Sequence, residues 1–331
     1  MKFLVTGGAG FIGSEVVRQL IGMDEEVINV DKLTYASCIK SLEEISSSKN
    51  YKFYKEDICD FDKMSSIIFS EEPDAIMHLA AESHVDNSIS DPDVFIKTNI
   101  FGTYNLLNAS IKFLNETRPD RFLFHHVSTD EVYGDLNSFD TPFKESNPYL
   151  PSSPYSASKA SSDHLVKAWG RTYGLPTIIS NCSNNFGHFQ NVEKLIPKTI
   201  TNAIKGIEIP IYGRGHQIRD WLFVEDHARA LIMLAKSKNY GESYNIGTRN
   251  EIRNIDLVKM ICQILDELIN EKPNNISSFS ELITFVDDRL GHDQRYAIDP
   301  SKFEKDFNFN SKKDFESDLI TTIKWYIENH N

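Results

Sequence analysis

The sequence predicts an α/β protein with an open, doubly wound parallel sheet and a smaller mixed α/β substrate lobe. Short apolar segments typical of buried strands alternate with helical segments through the first half of the chain, which favours a parallel sheet with helices on both faces. Glycines follow the first apolar segment and polar side chains follow later ones. The carboxyl ends of parallel strands meet at one edge of such a sheet, so we expect a ligand site there.

Composition narrows the class of protein. At 331 residues, with 40% hydrophobic and 25% charged residues, the chain has enough apolar material for one large or two intermediate domains. The net charge of −13 argues against nucleic-acid or anionic-membrane partners. No apolar run approaches the ~20 residues of a membrane span, and the start runs directly into a strand rather than a signal peptide. The scattered cysteines form no CxxC pair, so we expect a cytoplasmic protein without a metal: Cys38, Cys59, Cys182 and Cys262.

The first strand and the turn after it predict a dinucleotide site. An apolar strand over 2–6 is followed by a glycine-rich turn, Gly7 to Gly13, and then by a helical segment. Glycines allow the backbone to approach a pyrophosphate that lies at the helix N-terminus, as in Rossmann-type domains. Asp31 ends the next strand, where its carboxylate would bind the ribose hydroxyls and repel a 2′-phosphate. NAD is therefore favoured over NADP, although Lys32 follows directly and partly offsets this charge.

The alternation of strands and helices continues beyond this unit. We predict strands over 51–55, 73–79, 121–127 and 176–180, with helices over 60–70 and 94–115. The pattern then loosens, with helices near 193–205, 225–236, 254–269 and 314–328 and strands near 209–212 and 281–286. No change of composition marks a linker. We assign residues 1–183 to a NAD-binding domain and residues 184–331 mainly to a substrate lobe, with some segments interleaved.

A second motif lies at the end of the strand over 121–127. Thr129, Asp130 and Glu131 follow that strand, at the edge where ligands bind. Further on, Ser153 and Pro154 predict the start of a helix. Tyr155 and Lys159 would then lie four residues apart on one helical face. A phenol, an ammonium group, a hydroxyl and two carboxyl groups could therefore converge on one small molecule.

Spacing alone does not identify a catalytic pair. Tyr51 and Lys55 have the same spacing, but they lie in a predicted strand, where side chains four apart do not touch. Asp130 and Glu131 could instead form a solvated turn. The location of these groups after a cofactor turn and at a strand end favours the functional interpretation.

With these motifs the chain resembles the extended short-chain dehydrogenase/reductase family, and within it the nucleotide-sugar 4,6-dehydratases of the dTDP-glucose type. The discriminating segments are Thr129-Asp130-Glu131, His78 to His84, Glu193 to Pro197, Gln217 to Trp221, and Arg289 to Tyr296. Two departures stand out. His188 occupies a position where the family usually has proline, and the chain ends soon after Tyr326, so we expect no tail contact with the substrate.

The resemblance implies a lyase, specifically a hydro-lyase, in deoxysugar (rhamnose-type) precursor biosynthesis. It implies that dTDP-glucose loses water to give the 4-keto-6-deoxy sugar, with hydride moving from C4 to C6 through bound NAD. Tyr155 would take the O4 proton as a phenolate whose pKa the Lys159 charge lowers, and Thr129 would donate to the same oxygen. Glu131 would remove the C5 proton and Asp130 would protonate the departing 6-hydroxyl, although these two roles could be exchanged.

The resemblance also implies the binding residues. We expect cofactor contacts from Gly7, Gly10, Phe11, Ile12, Gly13, Asp31, Lys32, Leu33, Thr34, Asp57, Ile58, Leu79, Ala80, Ala81, Ser83, Thr98, Tyr155, Lys159 and Asn185. We expect substrate contacts from Ser83, Thr129, Asp130, Glu131, Asn184, Lys194, Leu195, Pro210, Tyr212, Arg219, Asn254, Arg289 and His292. Surface salt bridges are the alternative for the arginines, above all for Arg295, and turn stabilisation is the alternative for the asparagines. His125 and His126 are expected in the core beneath the site.

Other functions remain open at this stage. The substrate could be UDP-glucose, or the reaction could be an NAD-dependent 4-epimerisation or decarboxylation of a sugar nucleotide. A non-catalytic NAD-binding scaffold on the same fold is the alternative from another class. Relatives pair through the helix that carries Tyr155 and Lys159, so the resemblance implies a homodimer.

Overall fold

The structure is a computed structural model that describes residues 1–310 and 314–329. Its strands, numbered along the chain, are β1 (Lys2–Thr6), β2 (Glu26–Val30), β3 (Tyr51–Tyr54), β4 (Ala75–His78), β5 (Phe124–Thr129), β6 (Thr177–Cys182), β7 (Asn184–Phe186), β8 (Ile209–Tyr212), β9 (Ile218–Phe223), β10 (Ser243–Ile246), β11 (Glu251–Arg253) and β12 (Ile283–Val286). Its α-helices are α1 (Phe11–Gly22), α2 (Phe61–Glu71), α3 (Val85–Ser90), α4 (Pro92–Phe95), α5 (Thr103–Thr117), α6 (Pro154–Tyr173), α7 (Leu195–Ile204), α8 (Val224–Lys236), α9 (Asn254–Leu268), α10 (Ser301–Phe307) and α11 (Phe315–Asn329).

The large sheet has seven strands in the order β10-β6-β5-β4-β1-β2-β3, and all of its pairings are parallel. Its central strands β1, β4, β5 and β6 are almost wholly buried, as expected for strands that helices cover on both faces. Chain order reverses between β1 and β4, which creates the crevice where such sheets bind ligands. The predicted fold class is therefore confirmed.

Two helical layers cover the sheet. On one face α1 packs against α8, and their apolar residues join those of the central strands in one core cluster. On the other face α2 packs against α5, and α5 against α6, around a second cluster. The strand β10 pairs with β6 although it comes late in the chain. Segments beyond residue 183 thus contribute to the large sheet and to one of its layers.

The remaining segments form a smaller lobe. It contains a mixed sheet in the order β11-β9-β7 and a parallel pair of β12 with β8. Its core lies between α7, α9 and α11, and residues such as Ile200, Ile261 and Tyr326 are fully buried there. Across the described residues, none of the helices combines the length and apolarity that a bilayer crossing demands.

The structure adds elements that local patterns did not predict. The strands β7, β9, β10 and β11 and the helices α3 and α10 were not expected. The helix predicted over 94–115 runs instead from Pro92 to Thr117 and contains a π-helical stretch, Ile96–Gly102. At Gly102 a Cβ atom would lie 2.5 Å from Ile58 Cδ1, so the widened turn coincides with a close approach to a neighbouring segment. Such stretches often lie at functional sites, and Thr98 within this one is buried.

Candidate functional site

The glycine turn joins β1 to α1 at the crevice. Gly7 has φ +73°, and a Cβ atom there would lie 2.7 Å from the backbone nitrogen of Ala80. A Cβ atom at Gly13 would lie 2.1 Å from the Gly7 carbonyl oxygen. Gly10 is the N-cap of α1, where no side chain caps the helix and no acidic residue lies in the first turn. Only glycine therefore fits at Gly7 and Gly13, and the helix N-terminus keeps the positive end of its dipole for an anion.

Asp31 and its surroundings fit the ribose end of a dinucleotide. Its Oδ2 accepts from Ala9 N at 2.9 Å, and its Oδ1 accepts from Leu33 N at 2.8 Å and from Ser37 Oγ at 3.0 Å. These contacts hold the carboxylate at the end of β2, beside the glycine turn. Lys32 lies 3.6 Å from Glu82 and 3.9 Å from Asp57, so neighbouring carboxylates partly neutralise its charge. The residues present thus fit NAD.

Tyr155 and Lys159 lie where the sequence predicts them, at the start of α6. Ser153 and Ser156 form a capping box, and Pro154 occupies the first turn. Tyr155 is hydrogen-bonded to Thr129. Lys159 Nζ donates to the Val127 carbonyl oxygen at 2.8 Å. The helix start therefore brings the phenol and the ammonium group to the end of β5.

The electrostatics of Tyr155 differ from our expectation. Burial, followed by the charge of Glu131, raises the pKa of the Tyr155 phenol well above its ordinary value, while the Thr129 hydrogen bond acts in the opposite direction. Burial also lowers the pKa of Lys159 to about 8. Lys159 directs its ammonium group to a backbone carbonyl of β5. In the protein alone the pKa of Tyr155 is therefore raised, and the effect of Lys159 on the phenol stays a prediction.

The two adjacent acids have different surroundings. They form a 3₁₀ turn, Asp130–Tyr133, for which the Thr129 hydroxyl is the N-cap, accepting from Glu131 N at 3.3 Å. Burial and then the Glu131 charge raise the pKa of Asp130 well above its ordinary value. Among the described residues, Asp130 Oδ2 has no hydrogen-bond partner. Asp130 is thus suited to remain protonated.

Three cations oppose the effect of burial at Glu131. Burial raises the pKa of the Glu131 carboxyl group, while Arg219, Lys194 and Arg289 lower it. These cations come from separate segments of the smaller lobe. Glu131 is therefore the acid of the pair that ionises more readily, which suits it to accept a proton.

One cavity joins the glycine turn to the acids and to α6. Of the residues expected to bind cofactor or substrate, it is lined by Gly7, Gly10, Phe11, Ile12, Gly13, Asp31, Lys32, Thr34, Ile58, Leu79, Ala80, Ala81, Ser83, Thr98, Thr129, Asp130, Glu131, Tyr155, Lys159, Asn184, Asn185 and Lys194. The expected residues outside its lining are Leu33, Asp57, Leu195, Pro210, Tyr212, Arg219, Asn254, Arg289 and His292. The structure thus brings all five proposed catalytic side chains together.

The expected arginine clamp has partners within the chain. Arg289 forms a bidentate ion pair with Asp86, with Nε–Oδ1 at 2.5 Å and Nη2–Oδ2 at 3.0 Å. Its guanidinium group lies 5.1 Å from the ring centre of Tyr212, which also donates to Asp86. Arg219 donates to the carbonyl oxygens of Ile218 and Asp293 at 2.7 and 2.9 Å. Backbone carbonyl groups thus orient Arg219, whereas the guanidinium group of Arg289 is already paired with the Asp86 carboxylate.

The other residues singled out in the sequence differ in whether their side chains have hydrogen-bond partners within the described part of the chain. Asn184 Oδ1 is buried and has no hydrogen-bond partner among the described residues. The Asn185 side chain instead donates to Ser183 O at 2.9 Å and contacts His227 at 2.8 Å. Arg295 forms a bidentate pair with Glu251, as the salt-bridge alternative proposed. His125 and His126 are fully buried.

Sequence reasoning missed several groups in the cavity. Glu82, Gln190, Asn191 and Glu193 line it. Glu82 lies in the segment of small residues after β4, and Glu193 begins the segment Glu193 to Pro197. Both segments were singled out in the sequence, so the position of these two acids within them could have predicted a place in the site. Within the described ranges, no group of three or more His, Cys, Asp or Glu side chains is arranged to hold a metal ion.

Comparison with known proteins decides the family. A family model described as GDP-mannose 4,6 dehydratase matches residues 4–322. The chain belongs to that family. It is 58% identical to a dTDP-glucose 4,6-dehydratase of Escherichia coli over 99% of this chain and 94% of the relative. It is 55% identical to a dTDP-glucose 4,6-dehydratase of Neisseria meningitidis serogroup B, with the same shares covered. The resemblance drawn from the sequence is thus confirmed.

Solved structures agree with this assignment. A dTDP-glucose 4,6-dehydratase of Streptomyces venezuelae, crystallised with NAD and dTDP, has a TM-score of 0.90 and 39% identity, with 99% of this chain and 98% of that chain covered. A UDP-glucose 4-epimerase of Thermotoga maritima has a TM-score of 0.86 and 29% identity, with both chains fully covered. The fold is therefore shared by dehydratases and epimerases, and the higher sequence identity lies with the dehydratases.

Proposed function

We propose that this chain is an NAD-dependent hydro-lyase that converts dTDP-glucose to dTDP-4-keto-6-deoxyglucose and water. One observation carries the proposal: Asp130 and Glu131 share a cavity with Tyr155, Lys159 and the glycine turn. A 4-epimerase needs to oxidise C4 but has no proton to remove from C5 and no water to expel. The two carboxyl groups supply those additional steps. Relatives that are 58% and 55% identical bear the same activity in their names.

The first half of the cavity would bind NAD. The N-terminus of α1 and the glycine turn fit the pyrophosphate, and Asp31 fits the adenosine ribose. When bound, NAD would supply the acceptor for the hydride from sugar C4 and the donor of that hydride to C6, so that the reaction involves no net oxidation. Lys159 would hold the nicotinamide ribose through its ammonium group, and Asn185 would lie on the nicotinamide side.

Tyr155 and Thr129 would act at sugar O4. Tyr155 would take the O4 proton as a phenolate, and because burial raises its pKa in the protein alone, this role requires a nearby positive charge to lower that pKa once the ligands are bound. The Thr129 hydroxyl, which has one hydrogen to donate, would donate it to the oxygen that becomes a carbonyl. That carbonyl acidifies the proton on C5.

The unequal acids suit the dehydration step. Glu131, whose carboxylate faces three cations, would remove the C5 proton. Asp130, whose pKa is raised by burial and by Glu131, would give its proton to the departing 6-hydroxyl. The environments thus support the same division of roles that the sequence proposed.

The smaller lobe would bind the nucleotide part of the substrate. Arg219, Arg289 and His292 would hold the diphosphate, with Lys194, Ser83 and Asn184 nearer the sugar. Nucleoside contacts would come from Leu195, Pro210, Tyr212 and Asn254. On this basis residues 1–183 form the NAD-binding domain and residues 184–331 form mainly the substrate lobe, with β10 and α8 interleaved into the first.

A homodimer would be formed through α5 and α6. Phe101, Tyr104 and Tyr173 are 58%, 43% and 55% exposed, which is high for aromatic side chains. Trp169 on α6 stands edge-on to Tyr104 of α5 and lies beside Tyr173. This aromatic strip spans both helices and suits a self-complementary contact.

The free cysteines are consistent with a reducing cytoplasm.

Purified protein incubated separately with dTDP-glucose and UDP-glucose tests the function. We expect a 4-keto-6-deoxy product from dTDP-glucose, detected by NMR and by the absorbance of the keto sugar in alkali. The proposal fails if dTDP-glucose is recovered unchanged or is converted to dTDP-galactose. A higher kcat/KM for UDP-glucose would keep the reaction but correct the nucleotide.

A further inference from the structure

A buried polar cluster lies beside Lys159, between α6 and the strands β5 and β6. We define the Asp163 cluster as Asp163, His126, Ser128 and Asn181. Asp163, His126 and Asn181 are fully buried, and Ser128 is 4% exposed. Fully buried carboxylates are rare unless they are paired. The reaction described above assigns no role to Asp163 or His126.

The contacts run from this carboxylate to Lys159. Asp163 Oδ2 accepts from Ser128 Oγ at 2.9 Å and from Asn181 Nδ2 at 3.4 Å. Asp163 Oδ1 lies 3.2 Å from His126 Nε2. The same nitrogen lies 3.5 Å from Lys159 Nζ. The imidazole ring therefore separates the buried carboxylate from the ammonium group that faces the cavity.

Helix geometry explains the arrangement. Asp163 follows Lys159 by four residues on α6, so both side chains lie on the face that packs on β5. Ser128 is adjacent to Thr129 on β5, and Asn181 on β6 donates to the Thr129 carbonyl oxygen at 3.1 Å. The Asp163 cluster is thus hydrogen-bonded, through Asn181, to the backbone of Thr129.

We propose that Asp163 is a positioning residue, whose buried carboxylate acts across the His126 ring to hold Lys159 as an ammonium ion in the site. The proposal rests on the proposed function, because it assigns Lys159 to the reaction. Asp163 itself touches neither substrate nor cofactor. Its charge offsets the desolvation that an ammonium group suffers when it is buried.

The neighbouring charges agree with this role. Burial opposes ionisation of Asp163, but His126 and Lys159 lower its pKa below the ordinary value. Burial lowers the pKa of Lys159, whereas Asp163 raises it. Among the described residues, the other titratable groups that interact with Lys159 or with this cluster include His78 from β4, His125 from β5, Cys182 from β6, and Tyr133 and Tyr149 from the segment after β5. Removal of the carboxylate should therefore lower the pKa of Lys159 further.

The test measures the titration of Lys159 directly. Protein labelled with ¹³C at lysine Cε is titrated by NMR, and the Lys159 resonance is the one missing from a Lys159→Met variant. In Asp163→Asn we expect the midpoint of that resonance to fall by about one pH unit or more. Asp163→Glu, which keeps the charge, should restore the midpoint at least in part. An unchanged midpoint in Asp163→Asn would overturn the proposal.

Turnover provides a second readout. With dTDP-glucose we expect Asp163→Asn to lower kcat about fivefold or more at pH 8 and clearly less at pH 6, because Lys159 stays protonated at the lower pH. A purely structural role would lower kcat equally at both pH values, and that result would also overturn the proposal. If the wild type does not turn over dTDP-glucose, the proposed function fails, while the NMR titration still decides the role of Asp163.

Ser162→Ala is the matched control for folding. Ser162 is adjacent on α6 and fully buried, and its hydroxyl donates to Asn99 O at 2.6 Å rather than to the cluster. We expect an unchanged Lys159 midpoint in this variant. If Asp163→Asn does not fold, Asp163→Ser removes the same charge with a smaller side chain. Failure of both to fold, while Ser162→Ala folds, would assign Asp163 to the fold and overturn the proposal.

Discussion

The cavity has two halves, the NAD half around the glycine turn and the substrate half around Asp130 and Glu131. They offer a ligand different kinds of chemical groups. The NAD half uses backbone: the glycine turn and the N-terminus of α1, a segment of about one helical turn. The substrate half uses side chains, and the arginines expected to bind the diphosphate, which lie outside the cavity lining, already have partners: Asp86 for Arg289 and backbone carbonyls for Arg219. The glycine turn and the start of α1 are local in sequence, whereas Asp86 and Arg289 are 203 residues apart.

This difference indicates how each half meets its ligand. The backbone half is prearranged and should tolerate no added atoms in the turn. The side-chain half must exchange an internal ion pair for the substrate diphosphate. Binding of NAD should therefore depend on shape, and binding of the sugar nucleotide should depend on competition between charges.

Gly13→Ala should have the largest effect. Its Cβ atom would lie 2.1 Å from the Gly7 carbonyl oxygen, so the turn and α1 must separate. We expect NAD affinity to fall at least about 100-fold, or the protein not to fold, measured by fluorescence titration and by NAD content after purification. Gly22→Ala is the control, because nothing lies within 4 Å of a Cβ atom there. Wild-type NAD affinity in Gly13→Ala would contradict the shape argument.

Substitution of either Asp130 or Glu131 should have the second-largest effect. Glu131→Gln and Asp130→Asn should each lower kcat for dTDP-glucose by about 10²–10⁴-fold, because each removes one proton-transfer group. KM should change little, since neither group binds the nucleotide. Asp140→Asn, in an exposed loop, is the control. Loss of affinity with an unaltered kcat would show that these acids bind substrate instead.

Asp86→Asn should have a smaller effect of opposite sign. Without its carboxylate, the guanidinium group of Arg289 is free for the diphosphate, so we expect KM for dTDP-glucose to fall about threefold to tenfold with kcat unchanged. Asp93→Asn on α4 is the control, because Asp93 is exposed. A rise in KM would mean that Asp86 orients Arg289 for the substrate rather than competing with it.

Glu15→Gln should have the smallest effect, on stability alone. Burial disfavours the Glu15 carboxylate, but His188 and Arg18 lower its pKa to about 2, against an ordinary value of 4.5. A lowered folded-state pKa stabilises the protein above pH 4.5, and this stabilisation is lost as the pH falls towards 2. We expect Glu15→Gln to lower the free energy of unfolding by up to ~3 kcal/mol at pH 7.

The measurement for Glu15 is urea unfolding at several pH values. The difference between wild type and Glu15→Gln should be constant from pH 7 to about pH 5 and should shrink below pH 4.5. A difference that does not change with pH would assign the effect to packing. His188 lies in the loop after β7, and Glu15 lies on α1. The contact between them therefore also links α1 to the segment that follows β7.

Local chemistry explains what could be predicted from the sequence. The glycine turn, the strand-end acids and the serine cap of α6 are each set by neighbouring residues, and the structure contains all three. The parallel, doubly wound character of the large sheet followed from the same local alternation. These features account for the part of the cavity proposed to hold the NAD pyrophosphate and for the proposed catalytic side chains.

What the sequence could not predict depends on distant contacts. The strand β9 is paired on both sides by short strands from other parts of the chain, so its own pattern gave no clear signal. The raised pKa of Tyr155 depends on burial and on Glu131, neither of which residue spacing reveals. The ion pair of Arg289 with Asp86 joins segments that no local rule connects.

The central claim is that hydrogen moves within one sugar, from C4 to C6, while the acids expel water. The most direct test uses dTDP-glucose deuterated at C4 and locates the deuterium in the product by NMR. We predict that the deuterium is found at C6 of the 4-keto-6-deoxy sugar, with one solvent hydrogen at C5. Deuterium lost to solvent, or a product that retains its 6-hydroxyl, would contradict the account.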